Sequence, residues 1–419
     1  MFVKLYRKIR RNKRDIAGLV WTSLAVFFIF MMVYHPIVVF EGAAEGLKVW
    51  WEIIFPSLLP FFVASELLMK LGFVHFLGIL LDPIMRPLFN VPGFGGFVLV
   101  MGLVGGSPTN GLLISELREK QLCTRSEAER LLCFTSFATP LFMISAVAVG
   151  MLGCPELGII IAGSHYLANI IIGLGLRFYK HNEAGTYFDS DSISIKRALI
   201  AMVLYQRQQK QTIGKLLNDA VTSSVLKLLN IGGFIILFAV IVRVFAQLSL
   251  LGLISSGFAV LLVPLGFSAE IVSSIASGLF ETTIGSTTAS EAAVTELQKV
   301  ISIGFMLGWG GLSVHAQVAS MVAKTDIGMR MFFVTRIVHA FLAAGLTWLL
   351  YPSNQHIINF TLPAIASTSR FYSYSTPRVI LYFFLLAFSF LLLLVLSAII
   401  LQWGKQILRR VQARKNKYF

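Results

Sequence analysis

Two clusters of hydroxyl, amide and carboxylate side chains interrupt apolar sequence, 176 positions apart. The first, GLVGGSPTNG at 102–111, carries Ser107, Thr109 and Asn110. The second, GLFETTIGSTT at 278–288, carries Glu281, Thr282, Thr283, Ser286, Thr287 and Thr288. Each reads as a helix that stops and restarts. Ser107 is placed to cap a new helix with Pro108 at its first position, where a missing N–H costs nothing. Thr288 and Glu291, three apart, have the spacing of a capping box. A helix start carries roughly half a positive charge and free N–H groups, so it attracts carboxylate or phosphate. Two such starts facing each other suit a small anionic or zwitterionic ligand, with the hydroxyls and Asn110 adding hydrogen bonds.

Close packing is the competing reading, because small residues such as Gly102 and Gly106 let helices approach. Six hydroxyl residues between 282 and 290 exceed what packing needs and favour a wet site. Glu281 lies in apolar surroundings, where a carboxylate is costly and marks function by default. Its functional role is to bind a coupling proton or cation, or to hydrogen-bond the substrate when protonated, and so gate or couple transport. Its competing role is to cap the N–H groups freed at its own break. Arg243 is a candidate anion partner, although a snorkelling role at the membrane interface is favoured. Glu66 occupies nearly the corresponding position in the span before the first hairpin. His165, Asn169, Asn230, His315 and Gln317 are further polar residues within spans, each expected to bond another helix.

Enzyme chemistry has no signature: no metal-spaced His pair, nucleophile elbow or phosphate loop. No cofactor or metal is expected. Cys123, Cys133 and Cys154 form neither a metal spacing nor an even set.

The elements that hold these clusters must lie in lipid. The 419 residues are 56% hydrophobic and 13% charged, against about 25% charged in a soluble domain. Stretches 16–40, 300–323 and 379–404 lack Asp, Glu, Lys and Arg altogether, and each exceeds the ~20 residues that a spanning helix needs. The expected fold is an all-α polytopic membrane protein. It has about eight transmembrane helices, at 16–40, 46–71, 129–152, 156–178, 222–248, 299–323, 331–351 and 379–403. Two re-entrant hairpins, 73–120 and 250–292, carry the breaks. Seven basic residues precede the first apolar run, which is too long for a cleavable signal. An uncleaved first span is expected.

The net charge of +15 does not point to nucleic acid, because the basic residues sit at the ends of apolar runs. With eight spans and a cytoplasmic N-terminus, 30 of the 35 Lys and Arg fall on the cytoplasmic side. Lys48, Arg243, Lys299, Arg370 and Arg378 are left outside. Both termini are therefore expected in the cytoplasm. The order span, broken hairpin, span recurs at the 176-residue offset, and the span preceding each hairpin crosses in opposite directions. That makes an inverted repeat, the architecture in which a central transport site forms between units. The organisation follows: 1–44, basic start and first span; 45–179, first repeat; 180–220, cytoplasmic connector; 221–351, second repeat; 352–419, external loop, last span and basic end.

The runs at 102–111 and 278–285, with TSFATPLF at 135–142, resemble the YlbJ/SpoVV family of sporulation membrane proteins over nearly the whole chain. That family contains the nucleoside recognition, or Gate, domain that also occurs in concentrative nucleoside transporters. The resemblance implies transport of dipicolinate, a small aromatic dicarboxylate, from the mother cell across the outer forespore membrane. The resemblance names dipicolinate as the anionic substrate; membrane lipid, from the composition, and a coupling proton or cation, from Glu281, are the other expected partners. Two alternatives stand beside it: a nucleoside or other small-metabolite transporter, and a non-transporting membrane protein of spore-envelope assembly.

Overall fold

A computed structural model describes residues 13–140, 142–183, 185–186, 195–209 and 212–351. The expected external loop 352–378, the last span 379–403 and the basic ends 1–12 and 404–419 lie outside the described residues. Within them every regular element is helical. This follows from the apolar sequence, since lipid offers no partners and each backbone group must bond within its own segment.

The chain opens with α1 (Lys13–Tyr34) and α2 (Pro36–Val49), continues through a π-helical stretch (Trp50–Ile54) into α3 (Phe55–Lys70), and turns into α4 (Phe73–Phe89). Next come α5 (Phe94–Glu119), α6 (Arg125–Thr135), a π-helix (Phe142–Met151) and α7 (Glu156–Leu176). After α8 (Ile195–Gln209), the second half comprises α9 (Ile213–Gln247), α10 (Leu250–Leu262), α11 (Ala269–Phe280) and α12 (Thr282–Glu291). It ends with α13 (Glu296–Trp309), α14 (Gly311–Val322) and α15 (Arg330–Leu350).

Among the described residues four stretches are long and apolar enough to cross a membrane: Glu156–Leu176, Ile213–Gln247, Glu296–Val322 and Arg330–Leu350. Two bent pairs raise the number to six if each is one span. They are Gly18–Tyr34 with Pro36–Glu52, bent by 103°, and Phe62–Lys70 with Phe73–Phe89, bent by 84°.

Three expected spans are not continuous. The stretch 16–40 breaks at His35 (φ −122°, ψ 58°), because the residue before a proline is pushed out of the helical region. The stretch 129–152 breaks at 136–139, and 299–323 breaks at Gly310 and Gly311, both at positive φ.

Each half of the chain contains a helix followed by a broken helix, α4 and α5 in the first and α10 and α11–α12 in the second. The cores are shared between halves. One cluster joins Leu81, Phe94, Phe97 and Leu131 to Val318, Val322 and Phe332; the other joins Met143, Val147 and Ile161 to Ile271, Ile303 and Met306. The outer faces remain apolar, as Ile170, Ile171 and Leu174 on α7 and Val334, Val338 and Phe341 on α15 show. Apolar outer faces of this extent fit lipid rather than water as the surrounding solvent.

Candidate functional site: four helix breaks in two pairs

At the first break, Gly106 has φ +73° and ψ −170°, the one non-helical residue inside α5. Glycine alone reaches this backbone conformation readily. Helical geometry resumes at Ser107, so Gly106 and not Ser107 occupies the capping position. The Ser107 hydroxyl instead donates to the Phe137 carbonyl at 3.3 Å. Thr109 is buried and turns back on the Gly105 carbonyl at 2.7 Å. Asn110 is fully buried and its Nδ2 donates to the Thr135 carbonyl, while Oδ1 has no partner among the described residues. Gly102 leaves room for that carboxamide, since a Cβ there would collide with it.

Those bonds lead to the break at 136–139, which the sequence reading treats as continuous helix. Here the freed backbone groups are satisfied one by one from other helices. Arg336 of α15 donates to the Cys133 carbonyl at 2.7 Å and to the Ser136 carbonyl. From α7, His165 Nε2 accepts from the Ala138 N–H at 3.0 Å, and the Tyr166 hydroxyl donates to the Ala138 carbonyl at 3.0 Å. Thr139 restarts the chain as a true cap: its hydroxyl accepts from Phe142 N at 3.2 Å, with Pro140 next. Buried backbone groups must find partners, and this segment finds them at long range. Asn169 extends the network, accepting from Arg336 at 3.1 Å and lying 3.2 Å from His339 Nε2.

The second predicted break is at Glu281, extended at φ −142° and ψ 116° between α11 and α12. Its carboxylate caps α12, accepting from Ile284 N at 2.8 Å. Of the two roles open to Glu281, capping is thus visible in the geometry. The capping box expected at Thr288 is not formed, because Thr288 lies inside α12 and its hydroxyl bonds the Ile284 and Gly285 carbonyls at 3.1 Å. Glu281 captures the helix start seven residues earlier. Thr287 likewise bonds the Thr283 carbonyl at 3.0 Å. Thr282 and Ser286 are buried with hydroxyls that have no partner among the described residues. The two arms meet at glycine: a Cβ on Gly285 would lie 2.3 Å from Gly278 Cα.

The fourth break, at Gly310 and Gly311, packs against this one. A Cβ on Gly311 would stand 3.0 Å from the Phe280 carbonyl and 3.1 Å from Thr282 N and Oγ1. Trp309 Nε1 donates to Leu279 O at 2.9 Å, and His315 Nδ1 lies 2.7 Å from Gly311 O. The breaks therefore come as Gly106 with 136–139, and Glu281 with Gly310–Gly311.

The structure brings Ser107 and Asn110 together with the 136–139 segment, and Thr282 together with Gly311. Thr288 is directed back at its own helix. The halves also touch: α5 packs on α14, and α12 packs on the π-helix, where Thr287 Oγ1 approaches Met151 Sδ at 3.8 Å. Arg243 is half exposed and paired with Glu45 at 2.7 Å, while Glu66 and Glu116 share Lys227 at 2.6 and 3.0 Å. Asn230 is exposed. Sequence reasoning misses Arg336 and His339, because Arg336 counts there as a charge at a span end. The signals for the missed breaks were Thr139-Pro140 and the Gly310-Gly311 pair. Among the described residues no group of three or more His, Cys, Asp or Glu is placed to hold a metal ion.

Residues 51–155, which contain the first pair of breaks, match the Gate family, described as nucleoside recognition. The sporulation integral membrane protein YlbJ of Bacillus subtilis (strain 168) is 43% identical over 334 residues, covering 78% of this chain and 82% of that protein. An uncharacterized protein of Alkalihalophilus pseudofirmus is 28% identical over 162 residues, 37% of this chain and 33% of that one. No solved structure matches. The identity spans both pairs of breaks and the apolar helices that carry them, and the chain belongs to the YlbJ family of sporulation integral membrane proteins.

Proposed function

We propose that this protein is a secondary transporter that moves dipicolinate from the mother cell across the outer forespore membrane. The observation that carries the reading is the pair of broken helices at Gly106 and Glu281, each packed against a second broken helix of its own half. Interrupted helices at corresponding places in two halves are how secondary transporters build a substrate site. In this reading the halves form an inverted repeat of eight spans and two hairpins with both termini in the cytoplasm. One half rocks against the other. Ser107, Thr109, Asn110, Thr282, Thr283, Ser286, Thr287 and Thr288 supply the site, with the unbonded Thr282 and Ser286 hydroxyls nearest to use. Glu281 gates or couples transport, releasing its cap on Ile284 as the site opens. The family supports the sporulation role, and dipicolinate suits two helix starts because both of its carboxylates are anionic.

Uptake of labelled dipicolinate into proteoliposomes containing the purified full chain tests this. Flux well above empty vesicles is expected, with loss in Ser107→Ala and Thr283→Val at unchanged protein level. No flux from folded protein would overturn the transporter reading in favour of envelope assembly. Uptake of labelled uridine that excess dipicolinate does not compete, with no uptake of labelled dipicolinate, would instead make the substrate a nucleoside. The Glu281→Gln variant should flatten the pH dependence of flux; an unaltered profile removes its coupling role.

A further inference from the structure

Arg336 is buried, 3% exposed, and none of the ion pairs among the described residues includes it. Its neighbours are dipoles: two backbone carbonyls, the Asn169 Oδ1, and the Phe332 ring with its centroid 5.7 Å away. A guanidinium has five N–H donors; three acceptors are in place, and Nε has none among the described residues. A cation this deep without an anion is costly and is a functional signal by default.

Two further spare donors stand at the same segment. His165 accepts from the Ala138 N–H through Nε2, so the neutral ring must carry its proton on Nδ1. That Nδ1–H is buried without a partner among the described residues. The Ser136 hydroxyl is fully buried and also has no partner there. The Ser136 carbonyl is itself bonded by Arg336, and Ala138 is two residues on. Three unused donors and one uncompensated positive charge thus belong to Ser136 itself and to two side chains that bond residues 136–138.

We infer that Arg336, His165 Nδ1 and the Ser136 hydroxyl form a buried subsite for one carboxylate of a small organic anion, at the 136–139 break. A carboxylate supplies the missing charge, and its two oxygens carry enough lone pairs to receive all three donors. Holding the Cys133 and Ser136 carbonyls is the structural duty of Arg336, but that duty uses only its Nη groups. It leaves Nε, the His165 Nδ1–H and the Ser136 hydroxyl unexplained. The inference rests on the transporter reading for the size of its ligand, and it places a charge-neutralising residue where helix starts alone supply only partial charge.

Binding separates the two readings. In detergent, the purified full chain is titrated with picolinate (one carboxylate), dipicolinate, and picolinamide as the neutral analogue. The readout is thermal stabilisation. Both acids should stabilise the parent protein and picolinamide should not. Ser136→Ala removes only an unbonded hydroxyl and should weaken picolinate several-fold; Arg336→Lys should weaken it further, and Arg336→Gln should erase the preference for acid over amide. Picolinate affinity unchanged in Ser136→Ala and Arg336→Lys, or no binding of either acid by the parent, overturns the subsite. Charge-dependent binding without any flux in proteoliposomes would keep the subsite and discard the transporter. Dipicolinate flux that ignores folded Arg336→Lys and Ser136→Ala would do the reverse.

Discussion

The two pairs of breaks solve the same problem by different means. At 136–139 the freed backbone groups are bonded by side chains 25 to 203 residues away, from Asn110, Ser107, His165, Tyr166 and Arg336. At Glu281 the cap comes from the break itself, His315 reaches four residues back, and the partner break approaches through bare glycine. The first pair is held mainly by distant polar bonds, with Thr139 as its one local cap. The second is held by local caps and the absence of side chains, with a single longer bond from Trp309 to the Leu279 carbonyl. The first should therefore fail when a polar group is removed, and the second when a carbon atom is added.

The largest effect is expected from Arg336→Leu, which leaves the Cys133 and Ser136 carbonyls buried without these donors. Each such group costs roughly 1–3 kcal/mol, so the variant should melt far below the parent in detergent. A melting point within a degree or two would show that 136–139 holds itself.

Next is Gly285→Ala at the second pair. The new methyl meets the unyielding backbone of Gly278 as well as the Met306 side chain, and overpacking of this kind costs about 1–3 kcal/mol. Cysteine cross-linking between α11 and α12 should report the arms pushed apart, and an undisturbed cross-link would contradict the glycine contact.

A subtler contrast lies at the starts of α6 and α13. Thr124 caps α6 in a box with Glu127, while Thr295 caps α13 with the non-titrating Gln298 at the same place. Burial alone would raise the Glu127 pKa, but hydrogen bonds from Thr124 N–H and the Thr186 hydroxyl, with the Arg86 charge, hold it below its ordinary value. A depressed folded pKa stabilises above the unfolded value of about 4.3, and that stability is lost as pH falls through the folded one. Hydrogen exchange at α6, measured relative to the intrinsic rate at each pH, should accelerate on acidification while that of α13 stays constant, and Glu127→Gln should remove the difference. Equal acceleration in both helices would place the titration elsewhere.

The smallest effect is expected from Thr288→Ala. Its hydroxyl bonds only its own helix and the residue is exposed, so stability should change by less than ~0.5 kcal/mol. A larger loss would restore a capping role to Thr288.

Runs of glycine with hydroxyl and amide residues marked the breaks near 106 and 281, because their density exceeds what helix packing alone needs. The partner breaks were hidden for a related reason. The residues at 136–139, Ser-Phe-Ala-Thr, are apolar enough to disappear into a hydropathy window, and Gly310-Gly311 sits in a stretch without a single formal charge. Thr288 and Glu291 had the right spacing for a cap, but Glu281 took that role seven residues earlier. Spacing shows which caps are possible and not which one forms.

What the sequence determined was helix throughout and where two helices must fail, since backbone in lipid has to bond within its own segment and glycine relaxes that demand. What only the tertiary structure decided was who satisfies the failure. Arg336 looked like a charge at the end of a span until α15 packed beside α6 and α7 and carried it to carbonyls some 200 residues distant. Local pattern governs bonds within a few residues; partners that far apart are set by how whole helices pack.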